Sequence, residues 1–410
     1  MQISEVKISN FKGIESLELR LKRINVLTGR NNTGKTTILE GVNMLFNPEW
    51  GVEDAKRGDS NSELVTSGLE KAKIVVKLGN GEVQQLEIEP PDSLSIVQEI
   101  KDRVNTVIEV FYPNMKKNAA SANADETLKS IQNEAGSAVD RYFSPAAIEE
   151  LKKNSILVRT QGKTIVSLGI PENTGSSEEK KSNFAIFIDN IVTSLSTKLD
   201  GKPEIFIPRE AFFAFLNSPL PRQITTPEPP NQTKVKFRRE TRLRVRKKNP
   251  EEERRINAIN AMLAETHLCP EIQKFDIDFV TLRSKPLPIS YALMGDGFKA
   301  IAGILWDYNS DIQVLLLDEP EKYMHPGYIK ELVKFIKQMA STNYKVQFII
   351  ATHNFDFISE FLADPLDQFL EEEFQLITLE RCANGIEPTV YSYNDAKEQV
   401  EKINNDLRGV

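Results

Sequence analysis

INVLTGRNNTGKTTILEGVNMLF, residues 24–46, is the stretch of this sequence that decides the fold. Gly29, Gly34, Lys35 and Thr36 within it satisfy the pattern G-x-x-x-x-G-K-[ST] without a mismatch. The pattern follows a short apolar segment typical of a buried strand, and the residues after it have apolar side chains at helical spacing. A phosphate-binding loop between a strand and a helix is therefore predicted, in preference to a glycine-rich turn without a ligand.

Each residue type in this loop has a role in holding phosphate. The glycines allow backbone N–H groups to turn toward phosphate oxygens, and the positive end of the following helix faces the same place. Lys35 is expected to contact the β- and γ-phosphates, and the Thr36 hydroxyl to bind Mg²⁺. The residues expected to bind the nucleotide here are Gly29, Arg30, Asn31, Asn32, Thr33, Gly34, Lys35, Thr36 and Thr37.

The composition is that of an ordinary globular protein. The 410 residues are 40% hydrophobic and 27% charged, enough for about two to three domains or one large elaborated domain. Because the net charge is −7, a basic binding surface would have to be local. Cys269 and Cys382 match no metal or redox spacing, and no run approaches the ~18 apolar residues of a membrane helix. We expect a cytoplasmic protein without a membrane partner.

Changes in pattern divide the chain into four predicted regions. Residues 1–91, with alternating strands around the phosphate loop, would form an amino-terminal lobe, and residues 92–204 a mainly helical insertion. Residues 205–284 would form a connecting region, with five prolines between positions 219 and 230. Residues 285–410 alternate apolar strands with helices, which favours a parallel sheet buried on both faces.

Two carboxylates follow an apolar run in VLLLDEP, residues 314–320. A strand here would place Asp318 and Glu319 at its carboxyl end, where open α/β sheets hold ligands. Asp318 would orient Mg²⁺, and Glu319 would act as the base for attack of water on the γ-phosphate. An acidic pair at a strand end also caps helices, so this assignment depends on the phosphate loop.

A histidine ends another apolar run, in FIIATHNFDF. The chain has only three histidines, and His353 would lie at a strand's carboxyl edge beside the same crevice. There it could donate a hydrogen bond to the γ-phosphate. A surface histidine that caps a turn is the alternative, and the order and spacing of the motifs favour the catalytic role.

The order of these motifs resembles that of ABC-type ATPase heads: Walker A at Gly29, a MGDG segment at residues 294–297, Walker B at Asp318 and Glu319, and then His353. The start ISNFKGIESLELRLKRINVLTGRNNTGKTT is similar to SMC, RecF and overcoming-lysogenization-defect (OLD) type ATPases. LLLDEPEKYMHP and ATHNFDFI are most similar to the OLD-like branch. The resemblance covers residues 1–46 and 285–382. It implies an α/β fold, namely an ABC-type P-loop ATPase head with a mixed or parallel sheet and an inserted, largely helical arm.

By this resemblance, Gly295, Asp296 and Gly297 stand where ABC heads carry the signature that contacts a nucleotide held by a second subunit. Glycine fits, since a backbone must approach phosphate oxygens closely. The usual serine is replaced by Met294, and an ordinary turn before a helix is the alternative. The resemblance also suggests that Lys12, in NFKG, lies near the phosphates.

The resemblance implies ATP and Mg²⁺ as ligands, and a homodimer or higher homo-oligomer through the heads. Two heads would sandwich two ATP molecules, so that binding closes the dimer and hydrolysis opens it. OLD nucleases carry a Toprim domain after the ATPase, whereas 57 residues follow His353 in this 410-residue chain. We therefore expect any nuclease or other effector to be a separate partner protein.

The most basic run lies between Lys234 and Lys248, with nine cations in fifteen residues. Its apolar residues share one parity, so an extended segment would present arginine and lysine on the opposite face. Contact with the phosphate backbone of a nucleic acid is one interpretation, and a solvated face paired with nearby carboxylates is the other.

The leading hypothesis is an OLD-like ATPase that acts as an ATP-gated dimeric switch in anti-phage defence or DNA processing. A RecF- or SMC-like repair ATPase would share the same head. A scaffold or sensor that binds ATP with little turnover is a further alternative. A transporter subunit is disfavoured, because the signature lacks its serine and the chain begins with the NFKG-type start.

Overall fold

A computed structural model describes residues 2–48, 64–66, 69–118, 124–161, 163–168, 235–238, 250–308, 312–322, 324–341, 346–363, 368–383 and 385–402. The chain divides into two compact units. Unit 1 comprises residues 1–51, 73–85 and 229–410, and unit 2 comprises residues 52–72 and 86–228.

The described strands and helices of at least four residues follow one another along the chain in this order: β1 (Ile3–Phe11), β2 (Ile14–Arg20), β3 (Ile24–Thr28), α1 (Lys35–Phe46), β4 (Ala72–Leu78), β5 (Val83–Glu89), α2 (Ser93–Asn118), α3 (Ala124–Tyr142), α4 (Pro145–Asn154), β6 (Ile156–Thr160), β7 (Lys163–Ser167), β8 (Val235–Arg238), α5 (Pro250–Thr266), β9 (Ile272–Phe275), β10 (Phe279–Leu282), β11 (Lys285–Ser290), α6 (Asp296–Asp307), β12 (Val314–Asp318), α7 (Pro326–Ser341), β13 (Gln347–Ala351), α8 (Phe355–Leu362), α9 (Gln368–Glu373), β14 (Phe374–Cys382), β15 (Gly385–Ser392) and α10 (Tyr393–Lys402).

The main sheet of unit 1 has the strand order β15-β14-β3-β13-β12-β8. The pairs β14–β3, β3–β13, β13–β12 and β12–β8 are parallel, and β14–β15 is antiparallel. All five residues of β3 and of β13 are buried. This agrees with their largely apolar sequences, which are typical of strands covered on both faces of a sheet. The parallel strands therefore direct the carboxyl ends of β3, β12 and β13 to one edge of the sheet.

Helices cover this sheet with apolar side chains. Phe298 of α6, Phe335 of α7 and Phe361 of α8 are fully buried in one hydrophobic core with β3, β12 and β13. Phe361 also packs against Phe374 of β14, with ring centroids 5.5 Å apart. This core fixes the positions from which the loops at the sheet edge project.

The opposite edge of the main sheet is joined to β1 by buried amide side chains. The side chain of Gln347 donates to the carbonyl oxygens of Ile3 and Lys22 and accepts from the Ile3 N–H, at 2.7–2.8 Å. Asn25 similarly donates to the carbonyl oxygens of Lys22 and Phe348. Because buried amides must be hydrogen-bonded, this network fixes the strand starts.

Each unit also contains antiparallel strand pairs. In unit 1, β1 pairs with β2 on one side and with β4 on the other. In unit 2, β6 pairs with residues 86–89 of β5 and with β7, both antiparallel. The alternating burial of β1, β2 and β4 agrees with the alternation of apolar and polar residues in the sequence.

Unit 2 also contains the three helices α2, α3 and α4. Ile100 and Val104 of α2 and Val139 of α3 are buried where these helices pack together. A buried ion pair joins Arg103 Nε to Glu99 Oε1 at 2.8 Å within α2. The predicted helical character of the insertion is therefore met over these described residues.

The fold class predicted from the sequence is confirmed: an α/β fold with a mixed sheet and a largely helical insertion. The first part of the basic run is β8, an extended segment paired in parallel with β12. Residues 239–248 of this run, and residues 169–234 of the predicted insertion and connecting region, lie outside the described residues. The four predicted regional boundaries stay a prediction.

Candidate nucleotide site

The loop between β3 and α1 has the backbone that its glycines permit. Gly29 has φ 134° and Gly34 has φ 88°, values that residues other than glycine rarely adopt. A Cβ on Gly29 would collide with the Leu379 carbonyl oxygen, and one on Gly34 would lie 2.8 Å from Ile386 Cδ1. Gly34 offers no side chain to cap α1, and the first turn of α1 contains no acidic residue. This helix start therefore fits an anionic ligand.

Lys35 lies inside the loop rather than on its surface. Its Nζ donates to the carbonyl oxygens of Gly29 and Arg30, each at 2.7 Å. Burial lowers the pKa of the Lys35 ammonium, although the charges of Glu319 and Asp318 oppose this effect. The loop thus folds around a cation.

The remaining predicted loop residues surround this cation. Arg30, Asn31 and Asn32 are exposed, Thr33 is buried, and Thr37 is half-buried in the first turn of α1. The Thr33 hydroxyl donates to the Arg30 carbonyl oxygen at 2.9 Å. Arg30, Asn31 and Asn32 lie at the loop surface, where a bound ligand would contact them.

Arg381 supports this loop from β14, and no motif in the sequence indicates it. Its Nε donates to the Asn32 carbonyl oxygen at 3.1 Å, and its Nη1 to the Gly13 carbonyl oxygen at 3.5 Å. Lys12, expected near the phosphates, has its Nζ 2.5 Å from Glu40 Oε2 on α1. Sequence spacing could not show either contact, because both join segments that are distant in the chain.

The Thr36 hydroxyl donates to Asp318 Oδ1 at 3.0 Å. Asp318 is the last residue of β12, and Thr36 lies in the first turn of α1. The two predicted Mg²⁺ ligands are therefore adjacent, and both offer the hard oxygen atoms that Mg²⁺ prefers. The residues present fit this ion.

Glu319 and His353 also meet at the carboxyl edge of the sheet. His353 Nδ1 lies 3.0 Å from Glu319 Oε1, and both side chains are partly exposed. The imidazole and the carboxylate therefore lie within ion-pair distance of each other. Glu319 has φ 47°, and its N–H donates to the Ala351 carbonyl oxygen at 2.8 Å. Strained backbone of this kind occurs where surrounding contacts hold a functional residue.

Glu321 is a further acidic residue of this region, which the motif analysis missed. It is only 3% exposed, and one carboxyl oxygen accepts a short hydrogen bond from the Thr352 hydroxyl. Burial raises the pKa of Glu321 to about 7, and the charges of Glu319 and Asp318 act in the same direction. A signal was present in the sequence, since a third carboxylate follows the Asp-Glu-Pro triplet.

The MGDG segment is the start of α6. Gly295 is the N-cap of this helix, without a side-chain cap, and both Gly295 and Asp296 are exposed. Gly297 is buried, and a Cβ there would lie 2.8 Å from the ring of Tyr328. The second glycine is thus required by packing inside the chain. Only the first is open to the approach of a ligand.

Over the part of the chain that the structure describes, no helix combines the length and the apolar character needed to cross a membrane.

Two family models match parts of the sequence. Residues 169–360 match the AAA domain, putative AbiEii toxin, Type IV TA system. Residues 1–75 match a protein of unknown function, DUF2813. Each covers less than half of the chain; the first includes the MGDG segment, Asp318, Glu319 and His353, and the second includes the phosphate loop. No curated protein matches the sequence.

Several solved structures of SMC heads are similar in backbone. The SMC head bound to the C-terminal winged-helix domain of ScpA is 10% identical with a TM-score of 0.45, and the match covers 96% of this chain and 98% of that one. The Pyrococcus furiosus SMC head bound to the C-terminal domain of ScpA is 12% identical with a TM-score of 0.46, covering 98% and 100%. The Thermotoga maritima SMC head is 10% identical with a TM-score of 0.42, covering 96% and 100%.

Residues 169–360 thus match an AAA domain, and the phosphate loop with Asp318 beside it fits the binding of ATP.

Proposed function

We propose that this protein hydrolyses ATP to ADP and phosphate at the site formed by the phosphate loop, Asp318, Glu319 and His353. The observation that carries the proposal is the contact between the Thr36 hydroxyl and Asp318 Oδ1 at 3.0 Å. It joins the two parts of the sequence that P-loop ATPases use to hold Mg²⁺ and phosphate.

The residues of the loop bind and orient the triphosphate. The glycine backbone and the uncapped start of α1 present N–H groups to phosphate oxygens. Lys35 exchanges its two loop carbonyls for phosphate oxygens, which accept more strongly because they are charged. Thr36 and Asp318 would hold Mg²⁺, which when bound neutralises charge that develops on the phosphates.

Glu319 accepts a proton from the attacking water. The water oxygen bonds to the γ-phosphorus as the bond from that phosphorus to the bridging oxygen of ADP breaks. His353 Nδ1 lies 3.0 Å from Glu319 Oε1, close enough to keep the carboxylate in place, and its ring is 57% exposed. The pair therefore orients the base before the nucleotide binds.

A second copy of the chain completes each site in this proposal. The exposed start of α6 at Gly295 presents N–H groups with no side-chain cap, as an anion-binding helix terminus requires. Leu293, two residues before Gly295, is 79% exposed. An exposed leucine next to an uncapped helix terminus suits a surface that is covered when two heads associate. ATP binding would then close a homodimer, and hydrolysis would open it.

The biological role that we propose is a switch of the OLD-like type in anti-phage defence or DNA processing, acting with a separate effector or nuclease protein. The match to a model described as a putative toxin of a type IV toxin–antitoxin system favours a defence or toxin–antitoxin setting. The basic run between Lys234 and Lys248 is the proposed contact for nucleic acid. A RecF- or SMC-like repair ATPase, and a sensor that binds ATP with little turnover, are the alternatives.

The decisive experiment measures phosphate release with ATP and Mg²⁺ and the molar mass of the protein with and without ATP. Wild-type protein should hydrolyse ATP. Glu319→Gln should bind ATP, lose at least about 100-fold in kcat and accumulate as the closed dimer. Unchanged hydrolysis by Glu319→Gln would remove this residue from its role. ATP binding with no turnover by the wild-type protein would favour the sensor.

The setting can be tested by purification from the native host. An effector that co-purifies supports defence, whereas stimulation of hydrolysis by DNA without an effector supports the repair ATPase.

A further inference from the structure

Glu321 is the most deeply buried of the acidic residues that follow β12. One of its oxygens accepts from the Thr352 hydroxyl, and the other, Oε2, is buried without a hydrogen-bond partner among the described residues. A buried carboxyl with an unsatisfied oxygen costs free energy, whereas an apolar side chain of similar volume would not. Stability alone therefore gives no reason for a carboxyl here.

Thr352 follows β13 and lies in the turn that carries His353. It is fully buried, and its N–H donates to the Leu27 carbonyl oxygen of β3 at 2.9 Å. Its hydroxyl oxygen accepts from the Asn354 N–H at 2.9 Å, which closes a turn around His353. Because the hydroxyl proton goes to Glu321, this one side chain uses both of its hydrogen-bonding functions.

Backbone hydrogen bonds close the turn that carries Glu319. The Lys322 N–H donates to the Glu319 carbonyl oxygen at 3.0 Å, and the Met324 N–H to that of Glu321 at 2.9 Å. Glu321 thus belongs to one turn and Thr352 to the other. Their hydrogen bond joins, side chain to side chain, the turn of Glu319 to the turn of His353.

We propose that Glu321 is a positioning residue of the ATPase site, whose hydrogen bond to Thr352 holds the two turns so that Glu319 Oε1 and His353 Nδ1 stay in contact. The proposal rests on the function proposed above. It assigns Glu321 no contact with substrate. Burial, which raises the pKa of Glu321 to about 7, is in keeping with a carboxyl that acts as a hydrogen-bonding group.

Two matched pairs of variants test the hydrogen bond itself. Glu321→Gln and Thr352→Ser keep an acceptor and a hydroxyl, whereas Glu321→Leu and Thr352→Val remove them at similar volume. We expect the leucine and valine variants to lose roughly 10- to 100-fold in kcat with little change in KM, since a small misplacement of a catalytic group has effects of this size. The glutamine and serine variants should stay within about threefold of wild type.

A readout without nucleotide separates this proposal from the proposed function. The chain has only three histidines, so ¹⁵N-histidine nuclear magnetic resonance with His353→Asn for assignment isolates the Nδ1 signal of His353. At fixed pH, Glu321→Leu and Thr352→Val should move this signal toward its position in Glu319→Gln. Glu321→Gln and Thr352→Ser should not.

The outcomes are distinguishable. If the wild-type protein does not hydrolyse ATP, the proposed function fails, while the His353 signal still decides whether Glu321 positions the pair. Wild-type His353 signals in Glu321→Leu and Thr352→Val overturn the proposal. So does an equal loss of kcat in all four variants, because the conservative members keep the hydrogen bond. A Glu321→Leu variant that does not fold leaves the decision to Thr352→Val.

Discussion

Thr36 and Asp318 are separated by 282 positions in the sequence, yet the Thr36 hydroxyl donates to Asp318 Oδ1 at 3.0 Å. The parallel pairing of β3 with β13 and of β13 with β12 accounts for this contact, because it directs the ends of these strands to one edge of the sheet. The order of the strands in the sheet therefore brings the residues of the site together. The role of each residue can be tested separately.

The hydroxyl of Thr36 can be tested by a matched pair. Thr36→Val removes the hydroxyl at constant shape, and we expect a loss of roughly 100-fold or more in Mg²⁺-dependent hydrolysis, since one oxygen ligand beside Asp318 is lost. Thr36→Ser keeps the hydroxyl and should stay within about tenfold of wild type. Steady-state phosphate release at varied Mg²⁺ measures both. Equal activity in the two variants would show that the hydroxyl has no such role.

A comparison of alanine variants at Gly34 and Gly81 distinguishes backbone strain from steric collision. Their φ values are 88° and 87°, but a Cβ on Gly34 would lie 2.8 Å from Ile386 Cδ1, whereas one on Gly81 would meet nothing within 4 Å. Gly81→Ala should cost about 1 kcal/mol of unfolding free energy and leave ATP binding unchanged. Gly34→Ala should cost more and weaken ATP binding at least about tenfold. Denaturant unfolding and nucleotide titration measure the two effects. Equal costs would mean that Ile386 moves aside freely.

The proposed dimer surface beside the start of α6 can be tested at Leu293. Leu293→Glu should reduce ATP-dependent dimerisation at least about tenfold, because a charge would enter a surface that is covered on association. Leu94→Glu is the control, since Leu94 is 81% exposed and Leu293 79% exposed. Light scattering of the Glu319→Gln protein with ATP gives the dimer fraction. Normal dimers of the Leu293 variant would place the partner elsewhere.

Glu321 predicts a specific dependence of stability on pH. Its pKa of about 7 in the folded chain exceeds the unfolded value of 4.5. Between these values the unfolded chain releases a proton that the folded chain keeps, so this residue lowers the free energy of unfolding as pH rises, with no further change above about 7. Glu321→Gln removes this effect. The stability of the variant relative to wild type should therefore increase from pH 5 to pH 8, by at most about 3 kcal/mol.

Denaturant unfolding at the two pH values checks this prediction. A constant difference between Glu321→Gln and wild type would mean that Glu321 titrates alike in both states.

The phosphate loop and the acidic end of β12 could be predicted because each depends on residues that are neighbours in the sequence. Lys35 begins α1 and Asp318 ends β12, so the motif and its secondary structure coincide in the sequence. The helices of the insertion and the alternating strands β1 and β2 followed in the same way from periodicity.

Other parts of the site could not be predicted, because their reasons lie in contacts between distant segments. Arg381 reaches Asn32 and Gly13 only after β14 has paired with β3. Glu321 meets Thr352 only because β12 and β13 are neighbours. The extended conformation of β8 was expected from its alternating residues, whereas its pairing with β12 was not, because that pairing joins segments distant in the chain.

Gly297 of the MGDG segment is needed for packing inside the chain and does not face a ligand. The ring of Tyr328 occupies the space where its Cβ would be, and the Tyr328 hydroxyl donates to Glu271 Oε1 at 2.9 Å. Tyr328 belongs to α7, the helix that follows the turn of Glu319, so an aromatic wedge sits between that helix and α6. A shift of α7 would press the Tyr328 ring against the start of α6. In the proposed homodimer, movement at the catalytic turn of one protomer would thereby displace the helix start that faces its neighbour's nucleotide.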